Sequence, residues 1–284
     1  MIEYYVSVAL TSVIVPCWNA LPLTRVCLRQ LARRTTAPYE LIAVDNGSTD
    51  GTGAWLAEFR ARLLRDSHGS LRRFHIVSNA KNLGYPAAMN QGIRAARGRY
   101  LLFGNNDVAV TPLWLERMLA ALRSRPGIGG VSAFSNPPRR PDEPIAWVCR
   151  PHYRGLKGLE RYAAASMLRG RVPAYFPVPG LFPGFWFLTK RSVLDKVGVF
   201  DERFSPGGFE DLDLQWRMRR AGRALGFAGH AFVHHVSFGC AQLNGLKAEA
   251  LYGPDRARIL RRKFPETAGV PYSESPESWL AGRR

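Results

Sequence analysis

Short apolar runs, two of them closed by a cluster of Asn, Asp and Gly and the first by proline, alternate with helical patterns through the amino-terminal part of the chain. The runs are Leu10–Pro16 (LTSVIVP), Glu40–Val44 (ELIAV), Phe74–Val77 and Tyr100–Phe103. Between them lie Leu23–Arg34, with Leu23, Val26, Cys27 and Leu31 at helical spacing, then Gly53–Arg65 and Ala87–Ala96. Strands of this length separated by helices build a parallel sheet covered on both faces. Such sheets bind ligands outside the carboxyl ends of their strands. The polar clusters therefore carry the chemical interest, although Gly, Asn and Asp also favour plain turns.

Past Ser135 the texture changes. Residues 135–179 are rich in Pro and Arg and read as an excursion from the sheet, with a short basic helix expected over Gly155–Arg169. Phe185–Thr189 reads as a strand, Ser192–Lys196 as a helical turn, Phe209–Ala221 as a helix and Phe227–Val236 as another strand region. The expected organisation is one domain over 1–240, its ligand-binding half 1–110 and its second half 111–240. A tail, 241–284, follows with a helix at Asp255–Lys263.

No apolar run reaches the roughly 18 residues of a membrane span. No basic segment precedes an apolar core at the start, so a signal peptide is not expected and a cytoplasmic location is. Cys17, Cys27, Cys149 and Cys240 are scattered and form no C-x-x-C pair, which argues against a zinc ribbon or a disulfide framework. The formal net charge of +18, from 40 Lys and Arg against 22 Asp and Glu, points to a polyanionic partner: nucleic acid, an anionic membrane surface or a phosphorylated substrate.

Four clusters carry candidate chemistry. Asp45 follows ELIAV and opens Asp45–Thr52 (DNGSTDGT). Asp107 follows YLLFGNN, flanked by Asn105 and Asn106. Glu210 and Asp211 open the helix after Gly207-Gly208, where the macrodipole favours negative charge. His234 and His235 end the last strand region, where an imidazole can complete a divalent metal site.

Taken in order, VIVPCWNA, VDNGSTDGT, NLGYPAAMNQG, FGNND, the run PGFWF to RRAG and VHH resemble a family-2 glycosyltransferase of GT-A fold, in its rhamnosyltransferase-like branch, over about residues 10–240. The resemblance implies a Rossmann-like α/β fold with a mixed, mainly parallel sheet. It implies an inverting transfer of a hexose or deoxyhexose from a nucleoside-diphosphate sugar to a hydroxyl. It assigns Pro16, Asn19, Asp45, Asn82, Gly84, Asn106 and Asp107 to the sugar nucleotide, with Asn90 in support. Gly184 and Trp186 would border the donor sugar and acceptor, and Asp211 would be the general base with Glu210 beside it. Asp107 and His234, or alternatively His235, would hold Mg²⁺ or Mn²⁺. The first acidic position of the family's D-x-D motif is Asn105 here, one charge fewer. The acceptor is expected in cell-envelope polysaccharide, glycolipid or secondary-product glycosylation, with peripheral contact to an anionic membrane suggested by the basic surplus. A degenerate sugar-nucleotide-binding protein is the main alternative; a nucleic-acid partner is not expected, as no zinc-finger spacing or RNA-recognition signature appears.

Overall fold

The computed structural model describes residues 9–65, 69–135, 173–236 and 254–267, together with Cys240, 243–245 and Leu251. The expected helix at Gly155–Arg169 lies outside them. The strands are β1 Thr11–Cys17, β2 Tyr39–Asp45, β3 Leu71–Ser78, β4 Tyr100–Gly104, β5 Val108–Val110, β6 Ile128–Ser135, β7 Tyr175–Pro177, β8 Trp186–Lys190 and β9 Ala224–His235. The helices are α1 Leu21–Arg34, α2 Thr52–Arg65, α3 Tyr85–Ala95, α4 Trp114–Arg123, α5 Arg191–Val197, α6 Glu210–Arg220 and α7 Pro254–Lys263.

All nine described strands share one sheet in the order β3-β2-β1-β4-β8-β6-β9-β5, with β7 also on β9. β1 to β4 pair in parallel, as the strand–helix alternation requires. β8 enters antiparallel between β4 and β6 and makes the sheet mixed. Pro16 lies inside β1 rather than ending it. It faces Val44 of β2, but β4 pairs with β1 only as far as Ile14, so the missing N–H breaks no ladder on that side.

The sheet has helices on both faces. Val13, Val15, Leu41, Ala43 and Leu102 pack against α1, α2 and α4. The alternate residues Ile14, Ile42, Val44, Leu101 and Phe103 pack against α3, α5 and α6. This is the period-2 alternation of a strand buried on both sides. At the amino edge the buried Glu40 ties four segments together. It accepts from Ser12 Oγ (2.6 Å), from the Arg97 N–H (2.6 Å) and from Arg73 (3.0 Å). Burial opposes its ionisation, yet these donors outweigh burial and hold its pKa below the ordinary value.

One expected site residue belongs to this core. Trp186 faces Gly104 across the β4–β8 pairing and is fully buried. Its ring lies 5.3 Å from that of Trp114, and a Cβ on Gly104 would come within 2.6 Å of it. Trp186 is thus a packing residue and does not border a sugar.

The segment after β9 packs back onto the domain. Leu260 and Phe264 close a small apolar cluster with Leu181, Phe204 and Leu212. Lys263 pairs with Asp201 (2.9 Å) and with the fully buried Asp213, which also holds Arg217. Asn244 accepts from the Asn19 side chain and donates to the Trp18 carbonyl.

Candidate active site

The parallel register brings Cys17, Asp45 and Ser78 abreast at the carboxyl edge. Asp45 is buried, accepts from the Ser48 N–H (3.0 Å) and lies so close to α2 that a Cβ on Gly53 would meet its Oδ2 at 2.5 Å. Asp50 accepts from the backbone N–H of Leu21 and of Thr52, which ties down the starts of α1 and α2 together. Asn19 sits in the left-handed region (φ 51°) with its side chain spent on the Thr49 N–H and Asn244. Its place is to hold the loop in shape.

Asn46, not singled out from the sequence, is the hub here. Its amide donates to Asn82 Oδ1 (2.8 Å) and to the Gly84 carbonyl, and it accepts from Asn79 and from the Leu83 N–H. Asn82 in turn accepts from the Gly84 N–H (2.8 Å). The loops after β2 and β3 are thereby locked to each other. Gly84 is required at φ 86°, since a Cβ there would lie 2.2 Å from Ser205 Oγ. Asn90 clamps the Phe200 backbone in both directions and Glu202, a structural task.

The next cluster forms where β5 meets β9. Val108 pairs with His235, and the Val236 N–H donates to the Asp107 carbonyl (3.0 Å). His235 Nε2 therefore comes within 3.2 Å of Asp107 Oδ1 and 3.4 Å of Asn105 Nδ2. Phe185 stacks on the His235 ring at 4.2 Å and 14°, which fixes its tilt. His234, one residue earlier, points to the other face of the strand. Burial and the neighbouring His235 push its pKa down to about 4, so it is neutral. His235 rather than His234 is the imidazole turned to Asp107. Asn106 is also redirected: it is buried, and its amide donates to Thr24 on α1 (2.9 Å), so its side chain braces the loop instead of reaching a nucleotide.

A carboxylate oxygen and an imidazole nitrogen that converge suit Mg²⁺ or Mn²⁺. No larger group of His, Cys, Asp and Glu able to hold a metal exists among the described residues. Such a two-ligand site is typical of an ion that takes its remaining ligands from substrate phosphates and water. The residues present fit the metal on those terms.

The third cluster opens α6. Asp211 accepts from the backbone N–H of Gly184 (2.7 Å) and of Leu212 (2.9 Å). A Cβ on Gly184 would lie 2.9 Å from the Asp211 Cβ, so this glycine positions the carboxylate and is itself buried. Burial and the Asp211 charge push Glu210 up to about 8. Burial raises Asp211 as well, but its two backbone donors favour the ionised form. Of the two carboxyls, Asp211 is the one held by two backbone donors. Gly184 touches Asp211 while its neighbour Phe185 touches His235, so two consecutive residues join Asp211 to the Asp107–His235 pair.

Carboxylates and an imidazole gathered at the carboxyl edge of a mixed Rossmann-like sheet define the GT-A class of glycosyltransferase. The model of Glycosyl transferase family 2 matches residues 12–198, and the chain belongs to that family. It is 29% identical over 233 residues to a validoxylamine A glucosyltransferase of Streptomyces hygroscopicus subsp. limoneus, covering 76% of this chain and 49% of that protein. It is 27% identical to an O-antigen biosynthesis protein of Myxococcus xanthus, over 80% of this chain and 17% of the relative. The fold is shared with a mannosyltransferase from Pyrobaculum calidifontis solved with GDP-Man and Mn²⁺, at TM-score 0.57 and 20% identity, over 80% of this chain and 56% of that one. The chain thus spans half or less of the length of these two curated relatives.

Proposed function

We propose that the chain transfers a hexose or deoxyhexose from a nucleoside-diphosphate sugar to an acceptor hydroxyl, with inversion. The observation that carries this is the Gly184–Phe185 link, which sets one carboxyl group, Asp211, beside one Asp–His pair. Asp211 takes the proton of the acceptor hydroxyl as its oxygen bonds to the anomeric carbon. The bond from that carbon to the diphosphate breaks, and the diphosphate leaves with the electron pair. A single base opposite the leaving group inverts the configuration. Asp107 and His235 would hold the divalent ion, which when bound offsets charge on the leaving diphosphate. Asn46, Asn82 and Gly84 keep the loops after β2 and β3 in register, and on this reading Asp45 would meet the base or ribose.

The relatives' names suggest glucose or mannose as the sugar, and an acceptor in envelope polysaccharide or a secondary product. No helix of the described residues is long and apolar enough to cross a membrane. A lipid-linked acceptor would be met by peripheral contact at the inner face of the membrane.

The test is release of nucleoside diphosphate from a panel of donors with Mn²⁺. Asp211→Asn is expected to lower turnover by about 10² to 10⁴-fold, whereas Glu210→Gln, which mimics the neutral form, keeps it within about tenfold. Equal loss in both would contradict the assignment of the base. Asn105 favours one second reading, binding without turnover. Donor affinity with no product from any acceptor or water would support it.

A further inference from the structure

Tyr85 opens α3 and lies between the clusters just described. Its N–H donates to the Pro206 carbonyl (2.8 Å), which fixes the residue against the loop that leads to Glu210. Its ring packs edge-on against Phe200 at 6.2 Å. Phe200 also lines the small cavity beneath Asp211 and Gly184. A Cβ on Gly207 would touch the Tyr85 Cβ at 3.5 Å. The side chain is half-buried, and its hydroxyl has no hydrogen-bond partner among the described residues. Burial above all, and then the neighbouring Glu210, Asp211 and Asp107 carboxyl groups, push the phenol well above its ordinary range. It is therefore a neutral donor at any working pH.

On the proposed reaction, the transferred sugar has a fixed place. Its anomeric carbon must lie between the leaving diphosphate, at Asp107, and the base, Asp211. Tyr85 follows directly on Gly84 of the nucleotide side and packs against Pro206, Gly207 and Phe200, on the segment that leads to Glu210 and Asp211. A half-buried phenol whose hydroxyl has no protein acceptor among the described residues is free to donate that hydrogen to a ligand oxygen. We infer that Tyr85 recognises the transferred sugar, its hydroxyl donating to an oxygen of the donor's sugar ring or of one of its ring hydroxyls. This rests on the sugar-nucleotide reading, and it assigns the residue to the sugar rather than to the nucleotide.

The two can be told apart by comparing each nucleotide with its sugar form. UDP and UDP-glucose, GDP and GDP-mannose, dTDP and dTDP-glucose would be titrated by calorimetry in MnCl₂ against the wild type and Tyr85→Phe. The substitution keeps the ring against Phe200, and an unchanged melting temperature would show the fold intact. The wild type is expected to bind one sugar nucleotide more tightly than the bare diphosphate. Tyr85→Phe should lose about 3- to 10-fold in that sugar-dependent increment, with diphosphate affinity held within about twofold. An equal loss for both ligands would make Tyr85 a scaffold residue and overturn the inference. So would an unchanged increment, or a wild type with none. Failure of every nucleotide to bind the wild type would instead bring down the reading on which the inference stands.

Discussion

At the residue scale the Asp107–His235 pair carries the metal assignment, and Asn105 stands beside it. Asn105 stands 3.4 Å from the same imidazole nitrogen but brings no charge. Asn105→Asp is expected to tighten Mn²⁺ in the presence of nucleotide, by about tenfold for a gain of about 1.4 kcal/mol. Phe185→Ala frees the His235 ring and should weaken it by a factor of about 10, the lower end for losing a group that orients a ligand. Electron paramagnetic titration of free Mn²⁺ reads both, and no change in either would argue against His235 as a ligand. Two sequence expectations diverge from the structure for a single physical reason. Successive strand residues face opposite sides, so a one-residue error in parity exchanges core for site. In PGFWF it is Phe185 that meets His235 and Trp186 that enters the core; in VHH it is His235 that faces Asp107. Sequence shows that an aromatic or an imidazole is there but does not show which way it points.

At the scale of elements, the first four strands were legible because short apolar runs alternate with helical patterns, and the turn residues after β2 and β4 bring out Asp45 and Asp107. Residues 111–134, to which no element is assigned from the sequence, form α4 and β6, and β5 is too short to carry a pattern. The place of β8 between β4 and β6 depends on pairings far apart in sequence, which local periodicity does not encode. Two stability predictions belong here. Trp186→Ala removes the ring packed on Gly104 and Trp114 and should cost about 3–5 kcal/mol in chemical denaturation. A cost under 1 kcal/mol would contradict its burial. Glu40→Gln breaks the pair with Arg73 and should cost about 3 kcal/mol at neutral pH. Because the folded Glu40 pKa is depressed, that stability is present above the unfolded value and lost as pH falls, so the gap between variant and parent should close in acid.

Across the whole molecule the site has its own pH signature. Glu210 is raised to about 8 in the folded chain from an ordinary 4.5. The folded state holds the extra proton between these values, so its contribution to stability is full below about 4.5 and is lost as pH rises to about 8. Melting temperature against pH should therefore be flatter over that window in Glu210→Gln; identical slopes would place the proton elsewhere. Charge is the other global property. Several carboxylates are buried, among them Glu40, Asp45, Asp107, Glu210 and Asp213, while the net charge is +18. The remaining surface is strongly basic, and flotation with vesicles rich in anionic lipid should capture the protein at low salt and release it at high salt. Absence of capture at low salt would end the membrane proposal.

The central claim is that one edge of the sheet binds a nucleoside-diphosphate sugar through a divalent ion at Asp107 and His235. The most direct measurement is thermal stabilisation by UDP-, GDP-, dTDP- and CDP-sugars with and without Mn²⁺, in the wild type, Asp107→Ala and His235→Ala. A donor at a hundred times its Kd should add about 2.7 kcal/mol, or about 5–10 °C. The account predicts that one base gives this shift, that it needs Mn²⁺, and that both substitutions abolish it. A folded wild type unmoved by every sugar nucleotide, or a shift that survives both substitutions, would contradict it.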